Sequence, residues 1–251
     1  MVPTGTKLRI STILKSNYLD SLISISRNIC VTNLVNKDVS SSNRWLERQK
    51  RDIFVKQAGL ENYRCRSAFK LLQINEKTQI LRPGHFVIDC GAAPGSWCQV
   101  AVQNVNSTGK DPNKPKGLVI GIDLQHMSPV EGAYLLPGSD FTKVATQAKV
   151  KEILCDRKAN VILSDMAPRA TGHKSHNHEI IVGLCFSVLQ FSLSALSPGG
   201  TMVCKLWAGG DQSRLEAAMR TVFEQVKVMK PEASRDDSSE IFLLGKGFKE
   251  L

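Results

Sequence analysis

The chain has 251 residues, with 33 Lys and Arg against 23 Asp and Glu, a formal net charge of +10, and 42% hydrophobic and 22% charged residues. This balance is ordinary for a globular protein and excludes a collagen-like chain, a wholly disordered one and a multi-span membrane protein. A chain this long buries a full core without disulfides or metal, and its positive excess suits an acidic partner, nucleic acid before a membrane surface.

The first 50 residues hold eight basic and three acidic side chains, so half of the net charge lies in the first fifth of the chain. Residues 1–43 are also rich in Ser, Thr and Asn, and Arg9–Arg27 can coil into an amphipathic helix. There is no secretory apolar core followed by a small-residue cleavage site. Residues 1–45 therefore read as an organellar transit peptide, with a disordered basic arm touching RNA as the alternative. Residues 46–251 read as one domain.

The stretch from Asn43 to Gly84 is helical in pattern with interruptions. Phe69, Leu71, Leu72 and Ile74 recur near helical spacing, and Arg82-Pro83-Gly84 stops the helix. Arg51, Lys56, Arg64, Arg66 and Arg82 flank Lys70 and suit an RNA backbone, a solvated helix face being the plain alternative. Strands and helices then alternate. Strands are predicted at Phe86–Cys90, Leu118–Ile122, Tyr134–Leu136, Asn160–Leu163 and Thr201–Leu206, with a final pair at Val226–Met229 and Ile241–Leu244. Helices are predicted at Trp97–Val105, Lys143–Leu154, Glu179–Leu196 and Gln212–Gln225; none is evident between the second and third strands. This order predicts an α/β, Rossmann-like fold, a mostly parallel sheet with helices on both faces. The link from 230 to 239 is too short for a crossover helix, so the last two strands should pair antiparallel. Residues 106–117 (NSTGKDPNKPKG) read as a surface loop.

The seven cysteines show no Cys-x-x-Cys spacing, and most lie in apolar runs, as expected of small buried hydrophobes in a reducing compartment. No apolar run approaches the roughly 20 residues of a membrane span. His173, His176 and His178 form a His-x-x-His-x-His run, but no Cys lies near and Glu179 reads as the start of the next helix, so a loop beside the site is expected and no metal. Lys230–Arg235 reads either as a contact to RNA phosphates or as a solvated loop.

The most informative segment is FVIDCGAAPGSW, residues 86–97. Small residues let a backbone approach a ligand, and the helix that follows offers free N–H groups. Asp123 ends the next strand, where a carboxylate can accept two ribose hydroxyls. Four ionisable residues carry possible chemistry, each with a plain alternative. Lys70 can be a solvated helix residue, and Glu240 can be solvated after its polar loop. Asp165 ends a strand at the edge where parallel sheets bind ligands, or caps a helix. Lys205 sits in an apolar strand, and a buried lysine is uncommon unless paired.

YRCRSAFKL, DCGAAPG, SDMAP, CKLW and KPEASR…SSE occur in the order found in the FtsJ-like 2′-O-ribose methyltransferases, and residues 63 to 248 resemble that family throughout. Ser96 departs from the bacterial pattern, which has a second glycine there. The resemblance is nearest to animal mitochondrial members that act on large-subunit ribosomal RNA. It implies a class I methyltransferase fold with a seven-stranded sheet and S-adenosylmethionine as cofactor. Gly91, Pro94, Gly95 and Trp97 would line its methionine end, Asp123 would hold the ribose hydroxyls, Asp140 the adenine amino group, and Asp165 would lie near the sulfonium. The catalytic Lys-Asp-Lys-Glu set falls on Lys70, Asp165, Lys205 and Glu240.

The implied activity is methylation of a uridine 2′-hydroxyl in mitochondrial large-subunit ribosomal RNA, in the matrix, by a monomer that meets the assembling ribosome transiently. The alternatives are the same chemistry on transfer RNA or a messenger cap, and a non-catalytic assembly factor. The ribose hydroxyl is a weak nucleophile, so a base must take or share its proton. A lysine can serve only if burial or a neighbouring cation lowers its pKa. Lys205 is the expected base, with Lys70 beside it, Asp165 orienting Lys205, and Glu240 orienting Lys70 or the hydroxyl.

Overall fold

The protein is described here by a computed structural model over residues 47, 49–168, 174–235 and 237–250, so the predicted transit segment and His173 lie outside the described residues. The chain divides into two compact units, residues 1–66 and 67–251. In the first, helix α1 (Ile53–Leu60) starts at Asp52, whose carboxylate accepts the N–H groups of Phe54 and Val55 and pairs with Arg66. Four N–H groups at any helix start lack internal partners, so this cap satisfies two of them.

The second unit opens with α2 (Ala68–Thr78), which buries Ala68, Phe69, Leu71 and Ile74. Asn75 closes it: its side chain donates to Asn104 and accepts the N–H of Leu81. The elements that follow are β1 (Phe86–Cys90), α3 (Ser96–Val105), β2 (Leu118–Ile122), β3 (Ala133–Leu136), α4 (Val144–Ile153), β4 (Ala159–Ser164), α5 (Lys174–Ala195), β5 (Leu196–Trp207), α6 (Gln212–Val222), β6 (Phe223–Met229) and β7 (Glu240–Phe248). One seven-stranded sheet has the order β3-β2-β1-β4-β5-β7-β6, parallel except for β7, which lies antiparallel to both β5 and β6. The predicted mostly parallel sheet with an antiparallel last strand is what the chain forms.

Pleating sends neighbouring residues to opposite faces. Phe242 on β7 meets Trp97 of α3, while Gly245, three residues on, lies against Met219 of α6. Helices therefore cover both faces. The core between them is aliphatic, with Val87, Ile88, Val119, Ile120, Val161, Ile162, Leu163, Met202 and Val203 buried.

Several boundaries differ from the sequence prediction, among them β7, which runs on to Phe248 past the predicted Leu244. Helix α5 starts at Lys174, so His176 and His178 are helical rather than in a loop. Strand β5 starts at Leu196 and takes in Ser-Pro-Gly-Gly as an irregularity: Ala159 faces Leu196 and Val161 faces Thr201, leaving the four residues between unpaired with β4. Strand β6 starts at Phe223, where the pattern predicted helix to Gln225, because Phe223 packs on Phe248. The run His176–Ala195 is long and apolar enough to cross a membrane by composition, Ser and Gly being interspersed among its apolar residues. Here it is a core helix: Ile181, Val182, Cys185, Val188 and Leu189 are buried, and it packs on β4, β5 and α6. Residues 106–117 form a surface loop, but a tethered one, with the Asn106 amide donating to the carbonyls of Asp111 and Lys114.

Candidate active site

In an open parallel sheet, ligands enter where the strand order reverses, outside the carboxyl ends of the strands. Here that point lies between β1 and β4, since the chain builds outward from β1 to β2 and β3, then returns to β4. The loop after β1 and Asp165 after β4 flank it.

Gly91 opens the loop at φ +83°, and a Cβ there would lie 2.5 Å from Met166 Cγ and 3.0 Å from its Cα. Only glycine fits this close approach. Gly95, at φ +109°, starts α3. The Asp123 carboxylate accepts the N–H of Ala93 at 2.9 Å and that of Gln125 at 2.7 Å, tying the β2 tip to the loop. A carboxylate has further acceptor positions, so it can still bind hydroxyls. Ser139 N–H donates to the Asp123 carbonyl, which sets Asp140 beside it, and the Asp140 side chain holds the Thr142 N–H and hydroxyl. Pro94 is exposed. Trp97 is buried, and its indole N–H donates to the Ser67 carbonyl at 2.8 Å, so the ring supports the start of α2.

The four ionisable residues meet as two ion pairs. Lys205 Nζ lies 2.7 Å from Asp165 Oδ1 and donates to the Asp165 backbone carbonyl, also at 2.7 Å. The contact to Oδ1 is a charge pair at an angle outside hydrogen-bond geometry, which goes instead to the carbonyl. Lys70 Nζ lies 2.6 Å from Glu240 Oε1. Register explains the grouping. Lys205 faces Phe242 and Trp207 faces Glu240 across the β5–β7 ladder. Directly opposed residues in an antiparallel pair share a face, so all four side chains lie on the side that α2 and α3 cover. Phe242 stacks on Trp97 with ring centroids 5.7 Å apart and underlies the Lys70 ammonium at 5.8 Å. Lys205 is 8% exposed, the paired state that a buried lysine requires.

Burial is the largest influence on Glu240 and pushes its pKa up. The charge and hydrogen bond of Lys70, the charge of Lys205 and the Ser234 hydroxyl together outweigh it and hold the carboxyl below its ordinary value. Glu240 thus stays anionic and senses both lysines.

Sequence reasoning missed three residues. Ser234 is buried and donates to Glu240 Oε1 at 2.9 Å, and Gln73 accepts the N–H of Ala233. Pro231, Ala233 and Ser234 are buried, so this loop is docked in its own unit rather than solvated along its length. The position of Ser234 inside the KPEASR match was the available signal. Asp89 is fully buried on β1 and accepts a hydrogen bond from the Cys98 thiol. Burial chiefly, opposed by that bond and then reinforced by the charges of Asp165 and Asp123, raises its pKa to about 7.

Among the basic residues flanking Lys70, Arg66 is engaged by Asp52 and Phe54 in its own unit, while Arg51, Lys56 and Arg82 are exposed. Cys185 donates to the Lys205 carbonyl, and its hydrogen bond to Cys204, with burial, pushes the Cys204 thiol well up. These thiols are packing residues, not nucleophiles. Among the described residues no three His, Cys, Asp or Glu side chains come together as a metal site.

The chain matches the FtsJ-like methyltransferase family over residues 63–248. It is 50% identical over 209 residues to the mitochondrial rRNA methyltransferase 2 of Drosophila melanogaster, covering 83% of this chain and 84% of that one. It is 46% identical over 209 residues to the ribosomal RNA large subunit methyltransferase E of Cereibacter sphaeroides, covering 83% and 85%. A crystal structure of a Plasmodium falciparum ribosomal RNA methyltransferase superposes with a TM-score of 0.65 at 31% identity, over 75% of this chain and all of that one.

Proposed function

The chain belongs to the FtsJ-like methyltransferase family, and from that premise we propose that it methylates the 2′-hydroxyl of a uridine in mitochondrial large-subunit ribosomal RNA, using S-adenosylmethionine. The reading is carried by the two lysine–carboxylate pairs, Lys205–Asp165 and Lys70–Glu240, beside a glycine loop at the sheet's switch point. The residues suit that cofactor. Its positive groups suit the acids Asp123 and Asp165 that follow β2 and β4, and Gly91 lets the loop pass close to Met166 where a Cβ would collide. Gly91, Pro94 and Gly95 would hold its methionine end, while the buried Trp97 anchors the start of α2 and does not face the cofactor directly. Asp123 would hold the ribose hydroxyls and Asp140 the adenine. Bound there, it supplies an electrophilic methyl group.

Lys205 is the base that takes or shares the proton of the ribose hydroxyl, and Asp165 fixes its direction through its carboxylate and carbonyl. Positioning a reactant and a base in this way removes several kcal/mol of barrier in general, and the base itself contributes roughly 10²- to 10⁴-fold. Lys70, held by Glu240, stabilises the negative charge that grows on the hydroxyl oxygen. Ser234 keeps the Glu240 carboxylate turned toward Lys70.

The mitochondrial relative and the basic segment 1–45 support delivery to the organelle, with that segment as address and 46–251 as the methyltransferase. The test is to map ribose methylation on mitochondrial large-subunit RNA from cells lacking the protein. One uridine should lose its methyl group, and the full chain should restore it. Lys205→Ala should fail to restore it while still binding cofactor, and a chain lacking residues 1–45 should fail for want of delivery. An unchanged methylation map, or restoration by Lys205→Ala, would overturn the proposal.

A further inference from the structure

At the opposite edge of the sheet from the two ion pairs lies a half-open cavity of about 480 Å³. Phe86, Leu118 and Ala133, the first residues of β1, β2 and β3, line its floor. The four steps of β1 from Phe86 in its lining to Cys90 before the cofactor loop span roughly 13 Å at the rise of a strand, so it is no part of that site. Its size falls within the range of roughly 300–1,000 Å³ typical of small-ligand sites.

The lining is unusual in three respects. Its charged members, Lys116 and Arg157, are both cations. The Arg157 guanidinium stacks on the Phe86 ring at 4.3 Å and its Nε donates to the Leu154 carbonyl, which holds the group in place. Lys116 has no carboxylate partner among the described residues, and the nearby acids are already engaged, Asp111 by Lys114 at 2.9 Å and Glu131 by Lys110 at 3.5 Å. Second, Ser107 is only 4% exposed, yet its hydroxyl meets no hydrogen-bond partner. The oxygen is itself closed off from the surface, so Ser107 belongs to the packed wall of the cavity. Third, Tyr134, on an edge strand, is 60% exposed. An exposed aromatic beside two cations, one of them held in place, is the pairing that single-stranded nucleic acid uses, a π-face for a base and charge for its phosphate.

We infer that this cavity is a second RNA subsite, which takes one nucleotide of a single-stranded segment: its phosphate between Lys116 and Arg157 and its base on Tyr134. The inference rests on the RNA reading above. It assigns to the substrate a strand that reaches around the β3 edge of the sheet, away from the methylated nucleotide. A free nucleotide has the same chemistry and is the competing source.

The probe is a single-stranded 20-mer of uridylate carrying 4-thiouridine, photo-crosslinked to the full chain and mapped by mass spectrometry. Crosslinks at Tyr134 are expected, besides those at the catalytic edge. A Lys116→Gln, Arg157→Gln double variant should bind the 20-mer about tenfold more weakly, with a salt dependence shallower by roughly 0.7, the value of one phosphate contact on a single strand. Its cofactor binding should be unchanged. Crosslinks confined to peptides around Lys70 and Asp165 would overturn the subsite and leave the RNA reading standing. Displacement of the Tyr134 crosslink by equimolar uridine monophosphate would overturn the strand assignment in favour of a free nucleotide. Failure of both crosslinking and RNA methylation would remove the subsite together with the reading beneath it.

Discussion

Asp89 offers the most direct test of the electrostatics at the cofactor edge. Its carboxyl is fully buried, accepts one weak hydrogen bond from Cys98 at 3.2 Å, and leaves its other oxygen without a partner. Burial, with the charges of Asp165 and Asp123 behind it, moves the pKa from 3.8 to about 7 against the pull of Cys98. The sign follows from which state holds the proton. Below pH 3.8 both folded and unfolded chains hold it, and burial costs nothing electrostatic. Between 3.8 and 7 only the folded chain holds it, so rising pH favours unfolding. Above 7 both are ionised and the whole penalty is present. At 1.36 kcal/mol per pH unit the full swing is about 4 kcal/mol. Asp89→Asn has the same shape and cannot ionise. The stability difference between variant and wild type should therefore grow in favour of Asn by about 2–3 kcal/mol from pH 5 to pH 8.5. Urea unfolding at the two pH values measures it, and any pH-independent effect of the amide cancels. A difference flat to within about 0.5 kcal/mol would refute the buried, proton-holding carboxyl.

Two further predictions probe the site's other parts. Glu240→Gln should cost roughly 3 kcal/mol at pH 7, because Lys70 is left buried without its partner. Since the Glu240 pKa is depressed, its contribution is present above the unfolded value of 4.5 and is lost as pH falls through the folded value. The penalty of the Gln variant should therefore shrink on acidification, which urea titrations at pH 6 and pH 3.5 would reveal; a constant penalty would contradict the ion pair. Gly91→Ala should weaken S-adenosylmethionine binding more than tenfold by calorimetry, since the new Cβ meets the Met166 backbone as well as its side chain; unchanged affinity would show that the loop is not the cradle.

The parts of the fold that were legible in the sequence are those governed by local rules. Buried strands such as Val119–Ile122 appear as apolar runs, Arg82-Pro83-Gly84 stops α2, and a ten-residue polar link forces β6 and β7 to run antiparallel. Boundaries failed where a distant surface overrode propensity. Ser-Pro-Gly-Gly reads as a helix stop followed by a turn, but β4 draws Leu196 into the sheet and the four residues bulge out of the ladder. Phe223 continues a helical pattern until Phe248 gives its ring a better place in a strand.

The site divides in the same way, and the division says what kind of information a site needs. Asp123 and the glycine loop are visible because a ligand-binding turn requires small residues and an acid within one strand–turn–helix unit. Glu240 is not, since in sequence it is one acid after a polar stretch. It becomes a buried partner of Lys70 only because β7 threads between β5 and β6 and pairs Glu240 with Trp207, bringing Phe242 under the lysine. No periodicity in the residues around 240 encodes that insertion, so resemblance alone brought Glu240 into the set. Ser234 is a step further removed, since its role exists only once Glu240 is buried and one carboxylate oxygen seeks a donor. Asp89 is invisible for the opposite reason: its motif is legible, but its pKa is raised chiefly by the burial that the assembled sheet and α3 impose, with the charges of Asp165 and Asp123 adding to it. Spacing within the chain thus points to where a ligand can approach, whereas the protonation of the groups that act on it is set by strand order.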